Sequence, residues 1–196
     1  NYNIMFSPRG VLMLCQTEHE LRAMKRTAHA NRILKVRTEM VGPQRIKDIV
    51  PIININGPRY PVLGGLWQPR GGTARHDAVA WAFARAASDL GVDIIEKCAV
   101  LAVRHDANGV SAVETEKGII KTKKLCIVVA GHSGELAQMC GFRLPVESVA
   151  LQALVSEPIK PVMNCVVMAN TVHGYMSQSD KGELVIGGGA DNYNNF

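Results

Sequence analysis

Apolar positions recur along this chain with two periods, and the switches between them mark its elements. Residues 10–15 (GVLMLC) are almost continuously apolar and predict a strand. Over 17–35 the spacing lengthens. Leu21, Met24, Ala28 and Ile33 fall along one stripe, with Thr17 as N-cap and Glu20 three residues later as its capping-box partner. A short helix over 43–49 opens on Pro43 and stops before Pro51. Residues 60–67 (YPVLGGLW) read as extended. The clearest helix is 74–90 (ARHDAVAWAFARAASDL), whose Val79, Phe83, Ala86, Ala87 and Leu90 share one face and which ends at Gly91. The strand VDIIE (92–96) follows at once, and helix, glycine, strand is the pattern of an α/β layer. Segments 98–105, 110–116 and 118–121, separated by turns at Asn108–Gly109 and Lys117–Gly118, predict a β-meander. The run LCIVVA (125–130) predicts a strand buried on both faces, followed by a glycine-bearing turn and a short helix at 134–140. Four more strands are expected at 148–156, 163–169, 173–178 and 183–188. The fold class is therefore α/β, with α and β segments mixed.

Composition narrows the classes of function. Of 196 residues, 47% are apolar and 20% charged, which excludes a disordered or fibrous chain. No apolar run approaches the roughly 20 residues of a membrane helix, and NYNIMFSPRG lacks the features of a signal peptide, so a cytoplasmic location is expected. The net charge is +5, from 22 basic and 17 acidic residues. The basic residues are scattered apart from Arg22–Lys25–Arg26 and Lys121–Lys123–Lys124, and no aromatic residues alternate with them. That argues against nucleic acid, while a basic patch for a partner subunit or an anionic cofactor stays open. Five cysteines lie far apart with no C-x-x-C spacing, and four of them (Cys15, Cys98, Cys126 and Cys165) sit in apolar stretches. They predict buried, reduced thiols. The six histidines show no metal-ligand spacing, so no metal site is expected.

Three motifs carry candidate chemistry. Val185–Gly189 (VIGGG) resembles the opening of a dinucleotide fingerprint, but no acidic residue follows at the required distance, and a glycine-rich strand end is the better reading. Gly131-His132-Ser133-Gly134-Glu135 resembles a nucleophile elbow but has Glu135 where the pattern needs glycine. A turn at which a nucleotide approaches backbone fits it better than a hydrolase does. His76 opens the best helix beside Arg75 and Asp77, just after Gly71-Gly72. Helix N-termini disfavour a protonated imidazole, and a neutral one is a nucleophile. The residues alone favour a surface histidine paired with Asp77.

The block GGLWQPRGGTARHDAVAWAFARAASDLGVDIIE resembles the beta subunits of heterotetrameric sarcosine oxidases, within the D-amino-acid-oxidase-like flavoproteins. So do FSPRGVLML, PVESVALQALVSEPIKPV and GELVIGGGADNYN, and the resemblance spans essentially the whole chain. It implies part of an FAD-binding α/β domain (67–143) and parts of a mixed β-sheet substrate domain (1–66 and 144–196). It also implies oxidation of sarcosine at FAD, with electrons passing to a covalent FMN and then to oxygen, yielding hydrogen peroxide, glycine and formaldehyde or a folate adduct. By motif match the FMN is attached through His76, with Arg75 beside it where family members often carry lysine. Val100, Ala130 and Gly131 mark where FAD approaches backbone. The implied partners are alpha, gamma and delta subunits.

The family's opening strand–GxGxxG–helix unit and its C-terminal part are missing from this sequence. An internal fragment is therefore expected, inactive alone and prone to self-association. The alternatives are a dimethylglycine- or proline-type flavin dehydrogenase, a non-catalytic subunit-docking module and, most weakly, the hydrolase.

Overall fold

The computed structural model describes residues 2–191. Their elements run β1 (Val11–Cys15), α1 (Glu18–Ile33), β2 (Glu39–Val41), α2 (Pro43–Ile49), β3 (Gly64–Gln68), α3 (His76–Asp89), β4 (Val100–Asp106), β5 (Gly109–Thr115), β6 (Gly118–Lys121), α4 (Ser133–Met139), β7 (Ala150–Pro158), β8 (Val166–Ala169), β9 (Gly174–Gln178) and β10 (Glu183–Asp191). A 3₁₀ turn over Ala130–His132 precedes α4. The chain forms two compact units, one from Asn1–Phe83 and Leu151–Gly189, the other built on Ala84–Ala150.

The first unit is a seven-stranded mixed sheet in the order β2-β3-β1-β8-β9-β10-β7. Strand β1 lies in its interior, antiparallel to β3 and parallel to β8. Its alternation explains the core. Leu12 and Leu14 point to one face and meet Val41, Ile46, Val50, Val62, Met163 and Val167. Helix α2 supplies Ile46, which is fully buried. Helix α1 begins as the sequence requires. Glu20 N–H donates to Thr17 Oγ1 at 3.2 Å, and Glu20 Oε2 accepts from Thr17 N–H at 3.1 Å. Glu20 Oε1 also accepts from the Thr171 hydroxyl at 2.8 Å, tying the helix start to the turn after β8. Strand β2 is not predicted by the sequence pattern. It has three residues, too few to show a period.

The second unit holds an antiparallel meander, β4-β5-β6, with its turns at the expected Asn108–Gly109 and Lys117–Gly118. Val103, Ala112 and Val113 are buried in it. Two expected strands are absent. Neither 92–96 nor 125–129 has strand structure, and no described segment pairs with them. A strand exists only as part of a ladder, so an apolar run without a hydrogen-bonding neighbour stays irregular whatever its propensity. The α3 face is corrected for a similar reason. Phe83 and Leu90 remain 75% and 86% exposed, because no described element packs on them. The thiols divide likewise: Cys15 and Cys165 are buried, Cys98 and Cys140 half-buried, and Cys126, in the unpaired run, is exposed.

Candidate functional site

His76 is presented by backbone interactions that the sequence pattern only hinted at. Ser7 N–H donates to Thr73 C=O at 2.8 Å, Thr73 N–H returns to Ser7 C=O at 3.1 Å, and Gly10 N–H reaches Gly71 C=O at 2.7 Å. Gly72 is required there, because a Cβ would overlap the Ser7 carbonyl oxygen. The strapped loop delivers the chain to α3, whose first residue is His76. Arg75 and Asp77 form a two-point pair, Nε to Oδ1 at 3.1 Å and Nη2 to Oδ2 at 2.6 Å, and Asp77 Oδ1 also accepts from Ala78 N–H at 2.9 Å. The hydrogen bond from Arg75 holds the Asp77 carboxyl below its usual range, and Asp77 holds the guanidinium above its own. Asp77 is thus hydrogen-bonded to Arg75 and to the helix start, and the expected His76–Asp77 pairing is electrostatic only, the weakest of the causes acting on Asp77. The His76 imidazole is exposed and has no hydrogen-bond partner among the described residues.

The other candidate positions belong to the second unit. Val100 opens β4, partly exposed and paired with Thr115. Ala130 and Gly131 form the 3₁₀ turn, where Ala130 has φ +47°, a left-handed conformation uncommon outside glycine. Serine hydroxyls hold the turn: Ser133 Oγ donates to Ala130 C=O at 2.7 Å, and Ser148 Oγ to Gly131 C=O. The first of these commits the hydroxyl that a nucleophile elbow would need free. His132 Nδ1 lies 3.3 Å from Glu135 Oε2. A hollow of about 480 Å³ opens here, lined by Gly131, His132, Glu135, Gln138, Glu147 and Ser148. Its two carboxylates oppose a diphosphate, while its hydroxyl and amide groups suit ribose hydroxyls or a neutral base.

The first unit contains another cavity, of about 450 Å³, between the end of α2 and the sheet. Leu14, Val50, Val167, Met176 and Ile186 make its walls apolar, with Gln16, Asn54 and Tyr175 as polar points. Sequence reasoning missed it, because its residues come from five separate segments. Val185–Gly188 lie in β10, paired with β9, so these residues form a strand and not a phosphate-binding turn. A side chain at Gly187 would overlap the Tyr175 ring, which packs over that glycine. Among the described residues no group of three or more His, Cys, Asp or Glu could hold a metal, and no helix is long and apolar enough to cross a membrane.

The chain belongs to the FAD-dependent oxidoreductase family, which it matches over residues 1–196. Within it, the chain is 63% identical over 196 residues to sarcosine oxidase subunit beta of Rhodobacter capsulatus, covering 100% of the chain and 47% of that protein. It is 48% identical over 197 residues to sarcosine oxidase subunit beta of an Arthrobacter species, covering 100% and 49%. It thus spans about half the length of these curated relatives. Among solved structures, L-proline dehydrogenase from P. horikoshii superposes with a TM-score of 0.84 at 27% identity, over 100% of this chain and 52% of that one.

Proposed function

We propose that this chain is part of the beta subunit of a sarcosine oxidase-type flavoenzyme, with His76 as the attachment point of a covalent FMN. The observation that carries the reading is the 63% identity over the whole chain to a sarcosine oxidase beta subunit. The local structure fits a flavin at His76. The imidazole is exposed, its neighbouring carboxylate is already paired with Arg75, and Gly72 fixes the loop that presents it. Arg75 keeps a positive charge beside the attachment point, suited to an anionic ring or phosphate. Bound flavin would supply the oxidant for the N-methyl amine: sarcosine, oxygen and water would give glycine, formaldehyde and hydrogen peroxide, the water hydrolysing the imine, and a reduced folate in place of that water would give the folate adduct.

In this reading 67–143 belong to the FAD domain and 1–66 with 144–196 to the substrate domain. Val100, Ala130 and Gly131 line the non-covalent FAD. The Ser148 and Gln138 side of the 131–148 hollow takes its neutral ribose or adenine groups, because Glu135 and Glu147 repel its diphosphate. The alpha, gamma and delta subunits complete a cytoplasmic enzyme. A proline-type dehydrogenase is the second reading, favoured by the TM-score of 0.84 to L-proline dehydrogenase.

The test is flavin attachment. The subunit is co-expressed with its partners, precipitated in acid and digested, and the peptide masses are recorded. A flavin-sized adduct on the His76 peptide, absent from His76→Ala, is expected. A colourless precipitate from the complete complex would overturn the assignment. Turnover of proline and not sarcosine would favour the second reading.

A further inference from the structure

Helix α1 carries a face that the proposed catalytic reading does not use. Arg22, Lys25, Arg26, His29 and Arg32 lie at i, i+3, i+4, i+7 and i+10, within a sector of about 120° and over about 15 Å of helix. All five are exposed, while Leu21, Met24 and Ala28 turn inward toward β1, β2 and β3. Residues 21–38 contain no acidic side chain, and Lys35 and Arg37 extend the charge past the helix end. Among the described residues none of these cations forms an ion pair.

Like charges at i, i+3 and i+4 destabilise a helix, and of the five only Arg32, in the last turn, is favoured by the helix dipole. A second feature lies on the same side. Ile33, expected on the apolar stripe with Leu21, Met24 and Ala28, instead falls within the cationic sector and is 70% exposed, because the helical period carries it away from that stripe, and the adjoining Leu34 is 72% exposed. A large apolar pair ringed by arginines and lysines has the composition of a protein contact, with an apolar centre and charges that steer and register the partner. Single-stranded nucleic acid is favoured by stacking aromatics, and α1 has none.

We propose that the outer face of α1, with Ile33 and Leu34 at its end, docks an acidic surface on another subunit of the enzyme. The proposal deepens the multi-subunit reading and rests on it. The seven positions give an attraction that salt weakens, and the apolar pair gives a contact that salt leaves intact.

The experiment uses the full subunit co-expressed with tagged partner subunits, and measures co-purification and the dissociation constant at 50 and 300 mM salt. Arg22→Glu/Lys25→Glu/Arg26→Glu is compared with wild type, with Arg85→Glu as a charge-reversal control outside α1. Wild type and control should assemble. The triple variant should bind at least tenfold more weakly at low salt, with a flattened salt dependence and an unchanged thermal midpoint. Ile33→Ser/Leu34→Ser should weaken binding equally at both salt concentrations. Assembly of the triple variant with wild-type affinity would overturn the docking face and leave the oxidase reading standing. Failure of wild type to assemble would overturn both. Wild-type binding to a 20-base-pair duplex or to phosphatidylserine vesicles more tightly than to the subunits would overturn the protein partner.

Discussion

At the residue scale, burial and hydrogen bonding set apart side chains of the same type. Desolvation pushes the Cys15 thiol up to about 11, with Glu20 adding to it, and Cys165 likewise to about 11. At pH 8 both should resist iodoacetamide in the folded chain while exposed Cys126 reacts first, as peptide mass mapping after timed quenching would show. Equal labelling of all five would mean that the sheet core is open. Gln178 is a second such residue, buried at 6% exposure. Its Oε1 accepts from Val162 and Met163 N–H, and its Nε2 donates to the carbonyls of Lys160 and Gly182. Gln178→Leu keeps the volume but strands those groups, and should cost about 3 kcal/mol in denaturant unfolding. The burial of Cys15 and Cys165 was expected from their apolar stretches, but the role of Gln178 was not legible in the sequence, where it is one polar residue at a strand end. By contrast, the helix start at His76 and the glycines before it are local signals, whereas its proposed role as a flavin attachment point rests on the family resemblance.

At the scale of elements, α1 shows a local signal doing tertiary work. Burial pushes the Glu20 carboxyl up, but the bonds from Gln16 N–H, the Thr171 hydroxyl and Thr17 outweigh it, leaving it below its ordinary 4.5. A carboxyl lowered in the fold stabilises above its unfolded value, and that contribution is lost as pH falls through the folded one. Thermal stability should therefore fall on acidification below about 4.5, and Glu20→Gln should flatten that limb of the profile. Thr171→Val should flatten it partly. An unchanged profile in both variants would remove the carboxylate from the account. The capping box itself was readable three residues apart, whereas the Thr171 bond joins positions 151 residues apart and needed the fold. Gly72 belongs to this scale too. Gly72→Ala should cost about 2 kcal/mol through overlap with the Ser7 carbonyl, and lower flavin incorporation by shifting the loop before His76.

At the scale of the whole molecule, the two apolar runs without a ladder dominate behaviour. Segments 92–98 and 122–129 carry exposed apolar side chains, including Val128 at 85% exposure, on backbone outside any ladder. Limited trypsin should cut after Lys97, Lys123 or Lys124 before any site within α1, because cleavage needs locally open chain. The same surface should make the isolated chain self-associate, with a sedimentation coefficient that rises with protein concentration. A monomer resistant to trypsin would show that these segments find partners within the chain.

The sequence by itself determined the elements whose signals are local: α1 through its capping box, α2 through Pro43, and the meander through Asn108–Gly109 and Gly118. It also determined the family, through long blocks of specific residues. Only the tertiary structure decided which apolar runs become strands. LCIVVA is at least as apolar as GVLMLC, yet GVLMLC pairs on both edges with β3 and β8, and LCIVVA pairs with nothing described. The physical reason is that a helix closes its hydrogen bonds within itself, while a strand must borrow them from a neighbour that its own residues do not specify.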